Sequence, residues 1–237
     1  MKDTKLFFLL FAGLLVLLSG CGGGAGPRET AGDYLADAVA HMNELDGYEF
    51  QLSHGGPPVY VDAEGQTKFV NATGHFVSPD KASTKVKISL GSIVAEISVI
   101  SLGDTQWGSN PLTGSFQELD ETYTYKPAKF LNPETGFFTT LGDELTDVAL
   151  VGEEELEEMP GVTLQLLSGT LPGEVISEVS YGLIADESAE VDLWVDTDAD
   201  EIHRVLFTDP ATVDDEEPST WQFDFWNFGE TVDIEAP

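Results

Sequence analysis

Ser83-Thr84-Lys85-Val86-Lys87-Ile88-Ser89-Leu90 alternates with a period of two. Val86, Ile88 and Leu90 point one way, and Lys85, Lys87 and Ser89 point the other. Such alternation marks a strand with one face buried and the other wet. Thr67 to Val77 precedes it across Ser78-Pro79-Asp80, a hairpin signal. Ser92 to Leu102 follows and reverses at Gly103-Asp104 into Thr105-Gln106-Trp107-Gly108, with a further turn at Asn110 to Gly114. These segments read as an antiparallel meander with one apolar face.

The same rhythm extends in both directions. Tyr48 to Leu52 alternates until His54 to Pro58 breaks the pattern. Downstream, Leu145 to Gly152, Pro160 to Thr170, Ala189 to Asp196, Ile202 to Thr208 and Thr220 to Phe228 read as strands. Asp209 to Pro218 is a long acidic connection, and Glu153 to Glu158 is an acidic solvated turn. Helical spacing appears in three places. Thr30 caps a helix to about Leu45, with Tyr34, Leu35, Ala38, Val39, Met42 and Leu45 on one stripe and Gly47 as its stop. Phe130 to Gly136 suggests a helical turn and a break before a second short helix from Phe137. Pro172 suits the first turn of a helix running to about Tyr181. The expected fold class is therefore α+β, one strand-rich domain over 30–237. About ten strands at ~4.8 Å span roughly 45 Å, and so wide a twisted sheet curls. Helices in the hollow of a curled sheet can leave an apolar cavity between the layers.

The N-terminus has a separate logic. A charged start, Met1 to Lys5, leads into an apolar run from Leu6 to Leu18. Thirteen residues give about 20 Å of helix, too short to cross a hydrocarbon core. Leu18-Ser19-Gly20-Cys21 then completes a lipobox. Residues 1–20 read as a lipoprotein signal peptide, Cys21 as the lipidation site, and 21–29 as a Gly-rich tether. Two or more acyl chains hold a protein stably on a bilayer. The expected location is the outer face of a bacterial cell membrane.

Composition narrows the function. Hydrophobic residues make up 41%, enough for a sizeable core. Cys21 is the only cysteine, so no disulfide supports the fold. With 43 Asp and Glu against 10 Lys and Arg, the formal charge is −33, a balance that repels nucleic acid and anionic headgroups. Asp196-Thr197-Asp198-Ala199-Asp200 imitates a calcium loop, but Glu201 and Phe207 stand where glycine and glutamate are required, so a hairpin turn is the reading. The chain contains no nucleophile elbow, zinc-protease motif, phosphate loop or cysteine–histidine cluster, and no cofactor is expected.

Several stretches resemble the LppX/LprA/LprF/LprG lipoprotein family. They are Trp107 to Phe116, Phe130 to Gly136, Ser168 to Glu174, Val191 to Asp196 and Phe225 to Ile234; Thr231, where proline is expected, departs from the pattern. The resemblance implies a LolA/LolB-like half-barrel, a strongly curved antiparallel sheet with helices across its concave side. It also implies an apolar pocket taking acyl chains of lipids or glycolipids, with a membrane exporter or acceptor protein as a further partner. No catalytic residue is transferred. Cavity candidates are Leu35, Val39 and Met42 of the first helix, Phe130, Phe137 and Leu141 of the middle helices, and Val86, Ile88, Leu90, Ile97 and Val99 of the strands. Two alternatives stay open: an envelope hydrolase using Asp or Glu, and an acidic adhesion module without a ligand.

Overall fold

The structure, a computed structural model, describes residues 30–61, 65–120, 125–179, 187–212 and 215–237. The signal peptide, Cys21, the tether and the expected helix end at Tyr181 lie outside the described residues. In chain order the elements are α1 (Ala31–Glu44), β1 (Gly47–Gly55), β2 (Thr67–Val77), β3 (Lys81–Leu90), β4 (Ile93–Leu102), β5 (Thr105–Ser109) and β6 (Phe116–Glu118). They continue with α2 (Pro127–Phe130), α3 (Phe137–Glu144), β7 (Thr146–Glu154), β8 (Leu164–Leu171), α4 (Gly173–Val179), β9 (Ala189–Asp196), β10 (Glu201–Thr208) and β11 (Thr220–Trp226). A 3₁₀ turn, Pro210–Thr212, begins the acidic connection between the last two strands.

All eleven strands form one curved, open antiparallel sheet in the order β6-β5-β4-β3-β2-β1-β11-β10-β9-β8-β7. Two meanders are thus joined where β1 pairs with β11, Phe50 opposite Phe225 and Leu52 opposite Phe223. Every other neighbouring pair is adjacent among the strands in sequence, the arrangement that short reversing turns favour. The strand beyond the expected ten is β6, whose three residues are too few to show a period. Pro160 and Gly161 precede β8 in a turn rather than belonging to the strand, and β1 continues past Leu52 to Gly55.

Local chemistry sets the helix limits. Thr30 and Asp33 form a reciprocal capping box: Thr30 Oγ1 accepts from the Asp33 N–H at 3.3 Å, and Asp33 Oδ2 accepts from the Thr30 N–H at 2.9 Å. At the other end, Gly47 is not the helix stop, because it already belongs to β1. A side chain there would come within 2.6 Å of the Phe76 carbonyl and 2.7 Å of the Glu230 carbonyl. The helix ends instead at Leu45, which turns to extended backbone. Asn132 organises the break between α2 and α3. Its side-chain oxygen accepts from the N–H groups of Glu134 and Thr135, while its amide donates to the Pro79 carbonyl 3.1 Å away. Gly136 then caps α3, where a Cβ would run into the Phe130 carbonyl.

The helices pack on one face of the sheet, and the core lies between. Tyr48 contacts Phe76, Phe138 and Phe225 with ring centroids 5.2, 6.0 and 5.7 Å away. Phe130, Phe137 and Phe223 stack beside them at 5.0 to 5.4 Å. Leu35, Ala38 and Met42 of α1 and Leu141 of α3 close the same layer. On the opposite face a smaller cluster of Leu156, Leu164, Leu166 and Trp194 is buried beneath the β7–β8 connection. Arg204 lies nearby, paired with Asp224 and, at 3.4 Å, with Glu158.

Candidate functional site

Register decides which strand residues share the helix-covered face, because directly paired residues in an antiparallel ladder point the same way. Phe225 pairs with Phe50, Phe50 with Gly74, Gly74 with Thr84, and Thr84 with Val99. Val86 sits between Ala72 and Ile97, Ile88 opposite Ala95, and Leu90 opposite Ile93. The five strand candidates, Val86, Ile88, Leu90, Ile97 and Val99, therefore form one contiguous apolar stripe on the inner face of β3 and β4.

The stripe passes from sealed to open. Val99 and Ile88 are buried, at 0% and 7% exposure, whereas Leu90 is 45% and Ile93 67% exposed at the β3–β4 turn. Val86 and Ile97, between Val99 and Ile88 along the stripe, are half-buried, so the surface is uncovered there and again at the turn. The sealed end is covered by α2, which packs on β3 and β4, and by Leu119, whose methyl groups lie over Gly108. Gly74 has no side chain, which makes room for the Phe50 ring; a Cβ there would approach that ring within 2.9 Å and run into the Ser83 carbonyl. The result is an apolar ramp rising from beneath α2 to the β3–β4 turn.

The helical candidates sit differently. Leu35, Met42, Phe137 and Leu141 are all 4% exposed or less and belong to the central packed layer. Val39 and Phe130 are partly buried at its border, Val39 against Gly142 and Phe130 between Phe137 and Phe223. The structure thus brings the strand candidates together on the ramp and places the helical candidates in the neighbouring core.

Two buried hydroxyls on this face escaped the sequence reading. Among the described residues, Tyr48 Oη and Thr84 Oγ1 each have no hydrogen-bond partner. Burial pushes the Tyr48 phenol well above its ordinary value. Thr84 shares the parity of Val86, Ile88 and Leu90, so alternation already turns it inward; its burial beneath the helices, with its hydroxyl unpaired among the described residues, is what the structure adds.

The two carboxyl groups held above their ordinary values, Asp192 and Glu201, lie apart. Burial is the first cause raising both Asp192 and Glu201, with Glu190 adding to the first and Asp196 to the second. Asp192 pairs with Leu206, whereas Glu201 pairs with Asp196 at the far end of the β9–β10 ladder. Burial lowers His203, which stands at a register shift in β10 with the Phe228 ring 5.0 Å away and Glu201 Oε2 at 3.6 Å. Asp196 accepts from the N–H groups of Asp198 and Ala199, so the calcium-like segment is the β9–β10 hairpin turn. Among the described residues, no group of three or more His, Cys, Asp or Glu could hold a metal ion.

This inner face belongs to a known architecture. The family model of the LppX_LprAFG lipoproteins matches residues 30–234. The chain belongs to the LppX_LprAFG lipoprotein family. The crystal structure of LprF from Mycobacterium bovis superposes on this LppX_LprAFG chain with a TM-score of 0.66 at 15% identity, covering 87% of this chain and 96% of that one. Lipoprotein LppX from Mycobacterium tuberculosis gives 0.61 at 12% identity, covering 86% and 98%. At these identities the likeness is one of fold. No curated protein sequence matches the chain.

Proposed function

We propose that this LppX_LprAFG lipoprotein is a carrier that takes up acyl chains of lipids or glycolipids and moves them within the cell envelope. In this reading residues 1–20 direct export, Cys21 bears the acyl anchor, 21–29 form the tether, and 30–237 bind the ligand. The observation that supports it most is the ramp: a continuous apolar stripe, partly uncovered, in a chain of this family. A chain lying along Val86, Ile97 and Leu90 removes apolar surface from water on both partners, at about 0.8 kcal/mol per buried methylene. Leu90 and Ile93 form the mouth, where the headgroup stays in water. The separation of the two raised carboxyl groups, Asp192 and Glu201, favours carriage over glycoside hydrolysis, which uses a pair of carboxyl groups flanking one bond.

The test is native mass spectrometry of the full chain released from membranes in mild detergent. A carrier shows non-covalent acyl-lipid adducts in addition to its covalent anchor. The combined variant Val86→Asp and Ile97→Asp loses them while keeping its circular dichroism. A wild-type protein that carries no adduct and takes up no added diacyl lipid overturns the proposal.

A further inference from the structure

The net charge of −33 is not spread over the molecule. Between Gln66 and Leu131 the sequence holds six lysines (Lys68, Lys81, Lys85, Lys87, Lys126 and Lys129) and six carboxylates, so this stretch is neutral. The rest of Cys21–Pro237 holds 36 carboxylates against Arg28 and Arg204. Extending the neutral stretch back to Tyr60 adds only Asp62 and Glu64. The fold turns this division along the chain into a division in space. Gln66 to Leu131 supplies β2 to β6, one side of the sheet, together with α2, which packs on β3 and β4. The acidic remainder supplies β1 and β7 to β11. Its described arginine, Arg204, is tied to Asp224 and Glu158.

Among the described residues, six of the eleven exposed large hydrophobic side chains lie on the neutral side. Leu90, Ile93 and Val94 stand at 45%, 67% and 62% exposure around the β3–β4 turn, with Leu112 at 93% and Phe116 at 37% toward the outer strand. Next to that turn, Lys68 lies 5.9 Å over the Tyr60 ring, pairing an ammonium with an amphipathic aromatic. Aliphatic tips flanked by lysine and tyrosine suit a bilayer interface, where the tips enter the acyl boundary and lysine stems extend toward headgroups.

We infer that the β2–β6 side, led by the β3–β4 turn, is a docking face for a bilayer containing anionic lipid. The physical reason is selection of orientation. An anionic surface repels the acidic half and does not repel the neutral half, so the molecule turns its β3–β4 edge toward the membrane. That edge is where the ramp opens, so docking sets its mouth against the acyl region. The inference rests on the anchored-carrier reading for the presence of a bilayer, and its test uses no carried ligand.

The experiment uses the full acylated chain in vesicles of phosphatidylcholine and phosphatidylglycerol containing a nitroxide-bearing lipid. Single variants Ser92→Cys and Leu150→Cys carry a fluorophore. Leu150 is the control, since it is exposed and apolar but lies on the acidic β7 edge. Docking is expected to quench the probe at 92 several-fold more than the probe at 150. Ile93→Asp with Val94→Asp, both at exposed positions, reduces the docked population by about tenfold or more. Equal quenching at 92 and 150, or quenching at 92 that survives the double substitution, overturns the inference. So does no quenching at either position, the result expected of a face reserved for a protein partner. Quenching at 92 that appears only at high surface density marks contact between two copies and also overturns it. The acylated mass is read separately, so a missing anchor and an undocked face give different results.

Discussion

Replacing Tyr48 by phenylalanine deletes one buried oxygen and leaves the ring among Phe76, Phe138 and Phe225. The residue is 1% exposed and its hydroxyl has no partner among the described residues, so folding strips it of water without return. In mutational data such a group costs roughly 1–3 kcal/mol, and the small void left behind offsets part of the gain on its removal. The net expectation is stabilisation by about 1 kcal/mol, or about 2–4 °C in Tm for a domain of this size. The pH dependence sharpens the test. Burial raises the folded-state pKa above the ordinary value of 10.0, so the unfolded phenol ionises first and the folded one keeps its proton. Wild-type stability attributable to Tyr48 is therefore whole below pH 10 and lost as pH rises above it, by up to about 1.4 kcal/mol per unit. Phenylalanine lacks that loss, so urea titrations of the two proteins diverge with increasing alkalinity. A variant less stable by 1 kcal/mol or more at neutral pH would refute the reasoning and show that the hydroxyl has a partner, and curves that stay parallel above pH 10 would refute it by showing that burial does not hold the phenol neutral.

Other substitutions test other links. Gly74→Ala forces a methyl group against the Ser83 carbonyl and the Phe50 ring, and is expected to cost about 2 kcal/mol or more in urea denaturation. Thr30→Ala breaks the capping box and should lower stability by about 1 kcal/mol, visible as fraying of α1 in hydrogen exchange. Burial holds His203 below its ordinary pKa of 6.5, so its share of stability is present above that value and lost as pH falls below it. His203→Leu should flatten that portion of the pH–stability curve, as measured by thermal melts at stepped pH. Salt should raise Tm, because about 1 M NaCl shortens the screening length to ~3 Å and quiets repulsion among the excess carboxylates.

Much of the sheet was legible because half-buried antiparallel strands advertise themselves by alternation. Lys85-Val86-Lys87-Ile88 fixed both the strand and its inward face, and the Ser78-Pro79-Asp80 turn fixed its neighbour. β6 was missed because three residues carry no period. Gly47 was misassigned because a glycine after a helix reads as a stop, whereas here it relieves the approach of the Phe76 and Glu230 carbonyls, which lie far away in sequence. The site divided along similar lines. Val86, Ile97 and Val99 could be placed from alternation alone. The separation of Leu35, Met42, Phe137 and Leu141 into the packed layer depends on where helices dock, which helical spacing does not encode. Thr84 and Tyr48 share the inward parity of Val86 and Phe50, but alternation does not say that their hydroxyls are buried without a partner among the described residues; that depends on the layer packed over them.

The most direct measurement is titration of the delipidated full chain with a diacyl lipid bearing a fluorescent tail, beside the combined variant Val86→Asp and Ile97→Asp. Saturable binding by the wild type, and loss of at least about a hundredfold in affinity by the variant, is the result expected if the ramp holds acyl chains. Equal binding by both proteins, or none by the wild type, would contradict it.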